Sequence, residues 1–352
     1  MKRRVEQCIE AIRKLDLDSL LISNPMNITY LTGFREAEGY LLLTAGADMF
    51  YFTNFLYQEE AKRVNAWKVI VGNDNVFSLI GDSIQHLHLK AVGFEAKYLP
   101  FLEYSKIYEY ISGSSCSLIE TIDLVESIRA IKTPEELSLI KKSIAISREA
   151  FEYILQIHDQ ASTEKDLSIE VEKFLRLKGD SQIAFSPIVA SGKNSAFPHY
   201  LPQEVCLDRQ FFLIDLGSKY CGYCADLTRV FFWGKMPPLF RTIYDTVKRA
   251  HNRSIKIIRE GIKAKDVDRC ARQIVERAGW GKFFGHGLGH GVGLAVHELP
   301  FLNHKSEEVL KEGMIITIEP AIYIPGKFGI RIEDMVLVTS KGGQILSGDV
   351  NQ

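Results

Sequence analysis

Four short strings in the second half of the chain each place a carboxylate or an imidazole at a strand end or beside glycine: IDLGSKYCGYCADLTR, GHGLGHGVGLAVHE, IITIEPAIY and GIRIEDMV. They carry Asp215, Asp226, His290, Glu319 and Glu333. A fold that brings these strings together must hold four carboxylates around one imidazole. Left without counter-charge, such a cluster would protonate in part or splay open. Two divalent cations about 3.5–4 Å apart would cancel the repulsion and clamp both the attacking and departing atoms of a hydrolysis. Hard or borderline ions accept carboxylate oxygen together with one imidazole nitrogen.

Local patterning shows how these residues could meet. Residues 211–216 are an apolar run and read as a buried strand with Asp215 near its end. Ser218 and Gly222 mark a turn, and 224–232 reads as the returning strand, which carries Asp226 back beside Asp215. Residues 314–318 form a further apolar strand closed by Pro320, with Glu319 at its end. Strict alternation over 330–338 puts Arg331 and Glu333 on one face of a single strand. His290 lies in a glycine-rich loop that allows close backbone approach. Taken singly, each residue has an ordinary use: Asp215 as a turn residue, Glu319 as a strand terminus, Arg331 as a surface charge, Tyr323 as packing, His199 as a loop histidine. The coincidence of all five candidate ligands favours the metal centre.

In this order the motifs resemble the pita-bread metallopeptidases (the creatinase, aminopeptidase P and prolidase family), in their Xaa-Pro branch. The aspartates stand eleven residues apart, followed by HGLGHGVGL with a later His-Glu pair, the Glu-Pro strand end and IRIED. SNPMNITYLTGF and the linking ESIRAIKTPEEL extend the resemblance over nearly the whole chain. It implies an α+β fold: a pita-bread catalytic domain of two pseudo-twofold αα-β halves at 126–352, preceded by a smaller α/β creatinase-like domain at 1–125. It further implies a metal-dependent exopeptidase that hydrolyses the Xaa-Pro bond with a dinuclear centre and a bridging water. Asp215 would chelate one ion, His290 and Glu319 would bind the other, and Asp226 and Glu333 would bridge. Glu319 would accept the water's proton. His199, His286 and His297 would line the pocket as hydrogen-bonding or proton-transfer groups, with Tyr323 and Arg331 supporting the carboxylates. Manganese is the expected metal, with cobalt or zinc as alternatives; a proline-containing di- or oligopeptide is the expected substrate, and a homodimer the expected assembly.

Two departures bear on substrate length. Related small prolidases often carry Arg four residues after the histidine of the His-Glu pair, a fork suited to a substrate's terminal carboxylate. Here that position is Phe301. Arg35 or Lys193 could take the role, and so could no residue at all. Leu56 stands where relatives commonly place Arg before Tyr. The competing readings are a non-catalytic pita-bread peptide-binding module and a pita-bread aminopeptidase without proline preference.

Composition excludes other classes. Basic residues number 43 and acidic ones 44, a net charge of −1, which gives no electrostatic case for nucleic acid or anionic membrane. No apolar run approaches a membrane span, and the charged first helix lacks a signal-peptide core. Six scattered cysteines fit a reducing cytoplasm. Cys221 and Cys224 match C-x-x-C, but they fall inside a hairpin and not at a helix start, which argues against redox use. In the first domain, strands are expected at 19–22, 40–44, 49–53, 67–71, 91–94 and 117–121, with helices at the start and at 57–64. Thr133 followed by Pro134 and Glu136 announces a helix, and further helices are expected at 164–177, 239–260 and 264–278.

Overall fold

The computed structural model describes residues 2–35, 38–64, 68–73, 75–208 and 211–348. The chain divides into two compact units, Met1–Arg129 and Ala130–Gln352.

The first unit is built on a six-stranded mixed sheet. Its strands are β1 (Ser19–Ile22), β2 (Tyr40–Thr44), β3 (Met49–Asn54), β4 (Lys68–Gly72), β5 (Ala91–Glu95) and β6 (Ser117–Thr121), in the order β4-β3-β2-β1-β5-β6. The β2–β3 pair is a hairpin around Ala45 and Gly46, and parallel pairings flank it at β3–β4 and at β1–β5–β6. Helices α1 (Lys2–Lys14), α2 (Pro25–Thr32), α3 (Gln58–Ala61), α4 (Val76–His86), α5 (Phe101–Ile111) and α6 (Leu124–Arg129) complete it. Leu21, Leu42, Phe52, Ile80 and Ile107 form its apolar core. The helix expected over 57–64 shrinks to α3 behind a short 3₁₀ turn, Phe55–Tyr57. Of the strand expected at 67–71, Trp67 lies outside the described residues.

The second unit opens with α7 (Pro134–Ile157), and its start is over-determined. Thr133 and Glu136 exchange the reciprocal bonds of a capping box, Glu136 N–H to Thr133 Oγ1 at 3.3 Å and Thr133 N–H to Glu136 Oε2 at 2.9 Å. The remaining Glu136 oxygen accepts from Tyr223 Oη at 2.9 Å, which ties the helix start to the hairpin that carries Asp226. Helix α8 (Glu164–Lys178) follows, then strands β7 (Ile188–Ser191) and β8 (Phe211–Leu216), the short ribbon β9 (Lys219–Tyr220) and β10 (Tyr223–Cys224), and β11 (Leu227–Phe232). The second half repeats this plan with α9 (Pro238–Ile257), α10 (Ala264–Arg277), β12 (Gly289–Gly291), β13 (Glu298–Leu302), β14 (Ile315–Ile318), β15 (Ala321–Ile324), β16 (Phe328–Arg331), β17 (Asp334–Thr339) and β18 (Gly342–Ile345). Two αα-β halves therefore make up an α+β second unit, which follows the α/β first unit in the sequence. The sheets run β11-β8-β7 and β13-β12-β14-β17-β18, with β15-β16 as a separate ribbon. Leu213, Ile243, Val247, Leu288, Ile316 and Val336 are buried in one apolar cluster under these strands. Burying each such side chain contributes about 1.5–3 kcal/mol, so the strand ends stand on a firm base.

Three local expectations are corrected. Residues 224–232 are not one strand: the ladder breaks at Ala225 and Asp226, between β10 and β11. Residues 330–338 are likewise split, because Ile332 and Glu333 lie between β16 and β17, which belong to different sheets. His290 sits on strand β12 and not in a loop. Its flanking glycines serve strand packing: a Cβ on Gly289 would collide with the Thr317 carbonyl, and one on Gly291 with that of Leu299.

Candidate metal centre

The breaks in these strands build the site. Antiparallel pairing sets Asp215 opposite Thr228, and Asp226 occupies the gap just before β11. Across the sheet, Glu319 follows the last residue of β14, and Glu333 precedes the first residue of β17, its antiparallel neighbour. His290 comes from β12, which pairs with β14 on its other side. All five side chains line one cavity of about 480 Å³. His199, His286, His297, Tyr323 and Arg331 line it too, and so does Phe301, whereas Arg35 and Lys193 are not among its lining residues.

Donor atoms converge in three overlapping sets, each within 4.8 Å of one another: Asp215, Asp226 and Glu333; His290, Glu319 and Glu333; and Asp226, His290 and His297. Three members belong to two sets each: Asp226, His290 and Glu333. Asp215, Asp226, His290 and Glu333 are buried, while Glu319 is partly open to the cavity.

Arg331 is the one permanent cation among the described residues lining the cavity. It donates from Nη2 to Asp215 Oδ2 at 2.6 Å, from Nε to Thr228 Oγ1 at 2.9 Å, and from Nη1 to the Tyr323 hydroxyl and the Pro198 carbonyl. Thr228 passes the order on, donating to Glu333 Oε2 at 2.7 Å. A second threonine has the same office on the other side: Thr317 Oγ1 accepts from the His290 N–H at 3.0 Å and donates to Glu319 Oε1 at 3.2 Å. Neither threonine was legible in advance, because a threonine inside a strand reads as an ordinary β-former. Tyr323, expected to support Glu319 and the bridging carboxylates, bonds to Arg331 through its hydroxyl.

His290 Nδ1 faces the Gly291 carbonyl at 3.1 Å, which leaves Nε2 toward Glu319 (3.3 Å) and Asp226 (3.6 Å). His286 is held in the same way, Nδ1 facing the Gly287 carbonyl at 2.7 Å, and its buried Nε2 has no hydrogen-bond partner. The rings of His290 and His297 meet edge to face, centroids 4.2 Å apart.

The electrostatics are those of a site built for more positive charge than Arg331 supplies. Burial pushes the Asp226 carboxyl well above its usual range, and the charges of Glu333, Asp215 and Glu319 push it further. Glu333 is raised well above as well, by burial and then by Glu319 and Asp215. Asp215 is raised by burial despite Arg331. Glu319 goes the other way, to about 2: burial opposes ionisation, but the hydrogen bond and charge of His290, with His286 and Arg331, outweigh it. His286 is lowered by burial, and His297 by burial and by His290. Asp215 Oδ1 is buried without a hydrogen-bond partner. An orphaned carboxylate oxygen, an imidazole nitrogen aimed at two carboxylates and four mutually repelling acids make an oxygen-rich donor set that fits divalent metal ions.

The glutamate of the His-Glu pair has a different job. Glu298 accepts from Lys132 Nζ at 2.8 Å, with both side chains almost wholly buried, and Lys132 also donates to the Ala130 carbonyl. This pair fixes the residue after His297. Behind the ligands, Arg229 donates to Asp334 Oδ1 at 2.6 Å and to the Glu333 carbonyl, and His251 Nε2 lies 3.1 Å from Asp334 Oδ2.

Comparison with known proteins settles the family. The model of metallopeptidase family M24 matches residues 138–340, and that of the creatinase/prolidase N-terminal domain matches 4–131. The chain belongs to metallopeptidase family M24. As an M24 chain it is a hydrolase, and the family implies divalent metal ions. It is 32% identical over 351 residues to the Xaa-Pro dipeptidase of Pyrococcus furiosus, covering 99% of this chain and 98% of that protein. A solved Xaa-Pro dipeptidase from Bacillus anthracis superposes with a TM-score of 0.91 at 32% identity, covering 99% of this chain and 98% of that one. A solved X-Pro aminopeptidase from Thermotoga maritima gives 0.85 at 31% identity, covering 97% and 98%. The two identities are alike, and the TM-score is higher for the dipeptidase. Among the described residues, no helix is long and apolar enough to cross a membrane.

Proposed function

We propose that this M24 chain is an exopeptidase that hydrolyses the Xaa-Pro bond of peptides, with Asp215, Asp226, His290, Glu319 and Glu333 holding two divalent ions, manganese by preference. The observation that carries the reading is the sharing of donors: Asp226, His290 and Glu333 each belong to two overlapping sets, so neighbouring ions held there would share ligands. When bound, such ions supply Lewis acidity and make water a nucleophile near neutral pH.

The chain's own side chains do the rest. Arg331 holds Asp215 in one orientation through Oδ2 and leaves Oδ1 without a hydrogen-bond partner. Thr228 and Thr317 do the same for Glu333 and Glu319. Glu319, partly open to the cavity and held by Thr317, is the carboxylate we assign to receive a proton from attacking water. His297, kept neutral by burial and by His290, retains an N–H to donate to the tetrahedral oxyanion. The leaving nitrogen of the Xaa-Pro bond must be protonated as the C–N bond breaks, and we assign that proton to His199, which lines the same cavity. A homodimeric, cytoplasmic protein belongs to the same reading.

The test is hydrolysis of Xaa-Pro peptides by chelator-stripped protein after manganese reconstitution, beside matched peptides with alanine in place of proline. Cleavage of the proline peptides alone is expected. Equal cleavage of both series would replace the proline reading with a broader aminopeptidase.

A further inference from the structure

The mouth of the cavity carries large exposed apolar side chains, and among the described lining residues Arg331 is the only Lys or Arg. Leu201 and Phe301 line the cavity while remaining 69% and 41% exposed, so they mark where its wall meets solvent. Phe197, 62% exposed, stacks on Tyr200, another lining residue, with centroids 6.3 Å apart. Single exposed apolar residues are ordinary, but three large ones gathered at one cavity mouth are a surface with a use.

The cavity does not end at Phe301. A shallow, open depression beside it shares Phe301 and Asn303 with the cavity and adds Lys305 and Glu307. Its Glu307 carboxylate is taken up by Lys263, at 3.0 Å, and by Lys265. A chain leaving the metal centre over Phe301 would therefore pass from one hollow into the next without meeting an uncompensated acid at Glu307.

Charge points the same way. A dipeptide ends in a carboxylate directly after its second residue, and a site that selects dipeptides must match that charge. Arg331, the only Lys or Arg among the described lining residues, already serves Asp215, Thr228, Tyr323 and Pro198. Lys193 is not among the lining residues, and Arg35 belongs to the first unit. The terminal carboxylate of a dipeptide would lie against the apolar Phe301 and Leu201, with no spare Lys or Arg among the described lining residues to match it.

We infer that the preferred substrate is a peptide continuing beyond proline, with an apolar side chain at the next residue resting on Phe301 and Leu201. The inference rests on the exopeptidase reading and adds the class of substrate. Phe301 is a specificity-determining residue, acting on the part of the substrate remote from the scissile bond.

The experiment compares Leu-Pro, Leu-Pro-Leu and Leu-Pro-Asp as substrates of the manganese-loaded full chain. Leu-Pro-Leu is expected to exceed each of the others in kcat/KM by about ten-fold, the discrimination typical of one apolar contact, with the difference mainly in KM. Phe301→Ala should raise KM for Leu-Pro-Leu with little change in kcat, and Phe301→Arg should shift preference toward Leu-Pro. Phe301 is half exposed, so both variants should fold; unchanged circular dichroism checks this. Leu-Pro cleaved as well as Leu-Pro-Leu, or an unchanged Leu-Pro-Leu KM in Phe301→Ala, overturns the inference while leaving the Xaa-Pro reading intact. If none of the three is cut, the Xaa-Pro reading fails. Calorimetric binding of the same peptides then decides the mouth separately: tighter binding of Leu-Pro-Leu upholds it, and equal or absent binding overturns it.

Discussion

At the scale of residues, two threonines are the least conspicuous parts of the centre and among its most consequential. Thr228 accepts from Arg331 and donates to Glu333, so one hydroxyl ties a cation bound to Asp215 to a ligand on another sheet. Valine fills the same volume and breaks both bonds. Thr228→Val should lower stability by about 1.5–3 kcal/mol, the range for buried hydrogen bonds to charged groups. It should also weaken metal affinity about 10–100-fold, as removal of a partner that orients a ligand does. Chelator competition would measure the second effect, and an unchanged affinity would show that Glu333 needs no such support. The five candidate ligands were legible because each stands in a distinctive string, whereas Thr228 and Thr317 look like any strand residue. Glu298 was visible as half of a His-Glu pair, but its buried partner Lys132 lies 166 positions away, and no local pattern links the two.

At the scale of elements, legibility followed the strength of the local signal. The capping box at Thr133 and Glu136 announced α7, and the apolar run 211–216 gave β8 with both ends in place. Where alternation ran on without punctuation, strands were read too long. In 330–338 the alternation Ile330, Arg331, Ile332, Glu333 runs up to the point where the chain changes sheets, and the apolar run 335–338 follows with no glycine or proline between, since β16 and β17 are both buried. At His290 the glycines suggested a loop, although close pairing of β12 with β13 and β14 is what excludes a Cβ. The Lys132–Glu298 pair gives this scale its prediction, since it joins the segment before α7 to β13. Lys132→Ala removes one partner of a buried ion pair, a change that typically costs about 3–5 kcal/mol. A chemical denaturation midpoint within error of the parent would contradict it.

For the whole molecule, charge balance at the centre couples stability to metal and pH. Asp226 and Glu333 have folded-state pKa values raised well above their ordinary ones, and Asp215 is also raised. Without metal, such groups stabilise the fold below their unfolded pKa values, and that contribution is lost as pH rises toward the folded ones. Glu319, lowered to about 2, contributes fully once pH exceeds its unfolded value and adds no slope above that. His286 and His297 are lowered, so their contribution grows as pH rises toward the ordinary histidine value, opposing the carboxylates in part. Metal-free protein should therefore lose thermal stability between about pH 5 and about pH 8, and the manganese-loaded form should not. Parallel melting curves at each pH would check this; a metal-free Tm that climbs over the range would refute the sign.

The central claim is a centre for two ions held by shared carboxylates, and metal content tests it most directly. Elemental analysis of manganese-reconstituted protein, freed of excess metal, should find two ions per chain, and Asp226→Ala, which removes a shared donor, should retain fewer than one. No stoichiometric metal in the parent, or full occupancy in the Asp226 variant, would contradict the account.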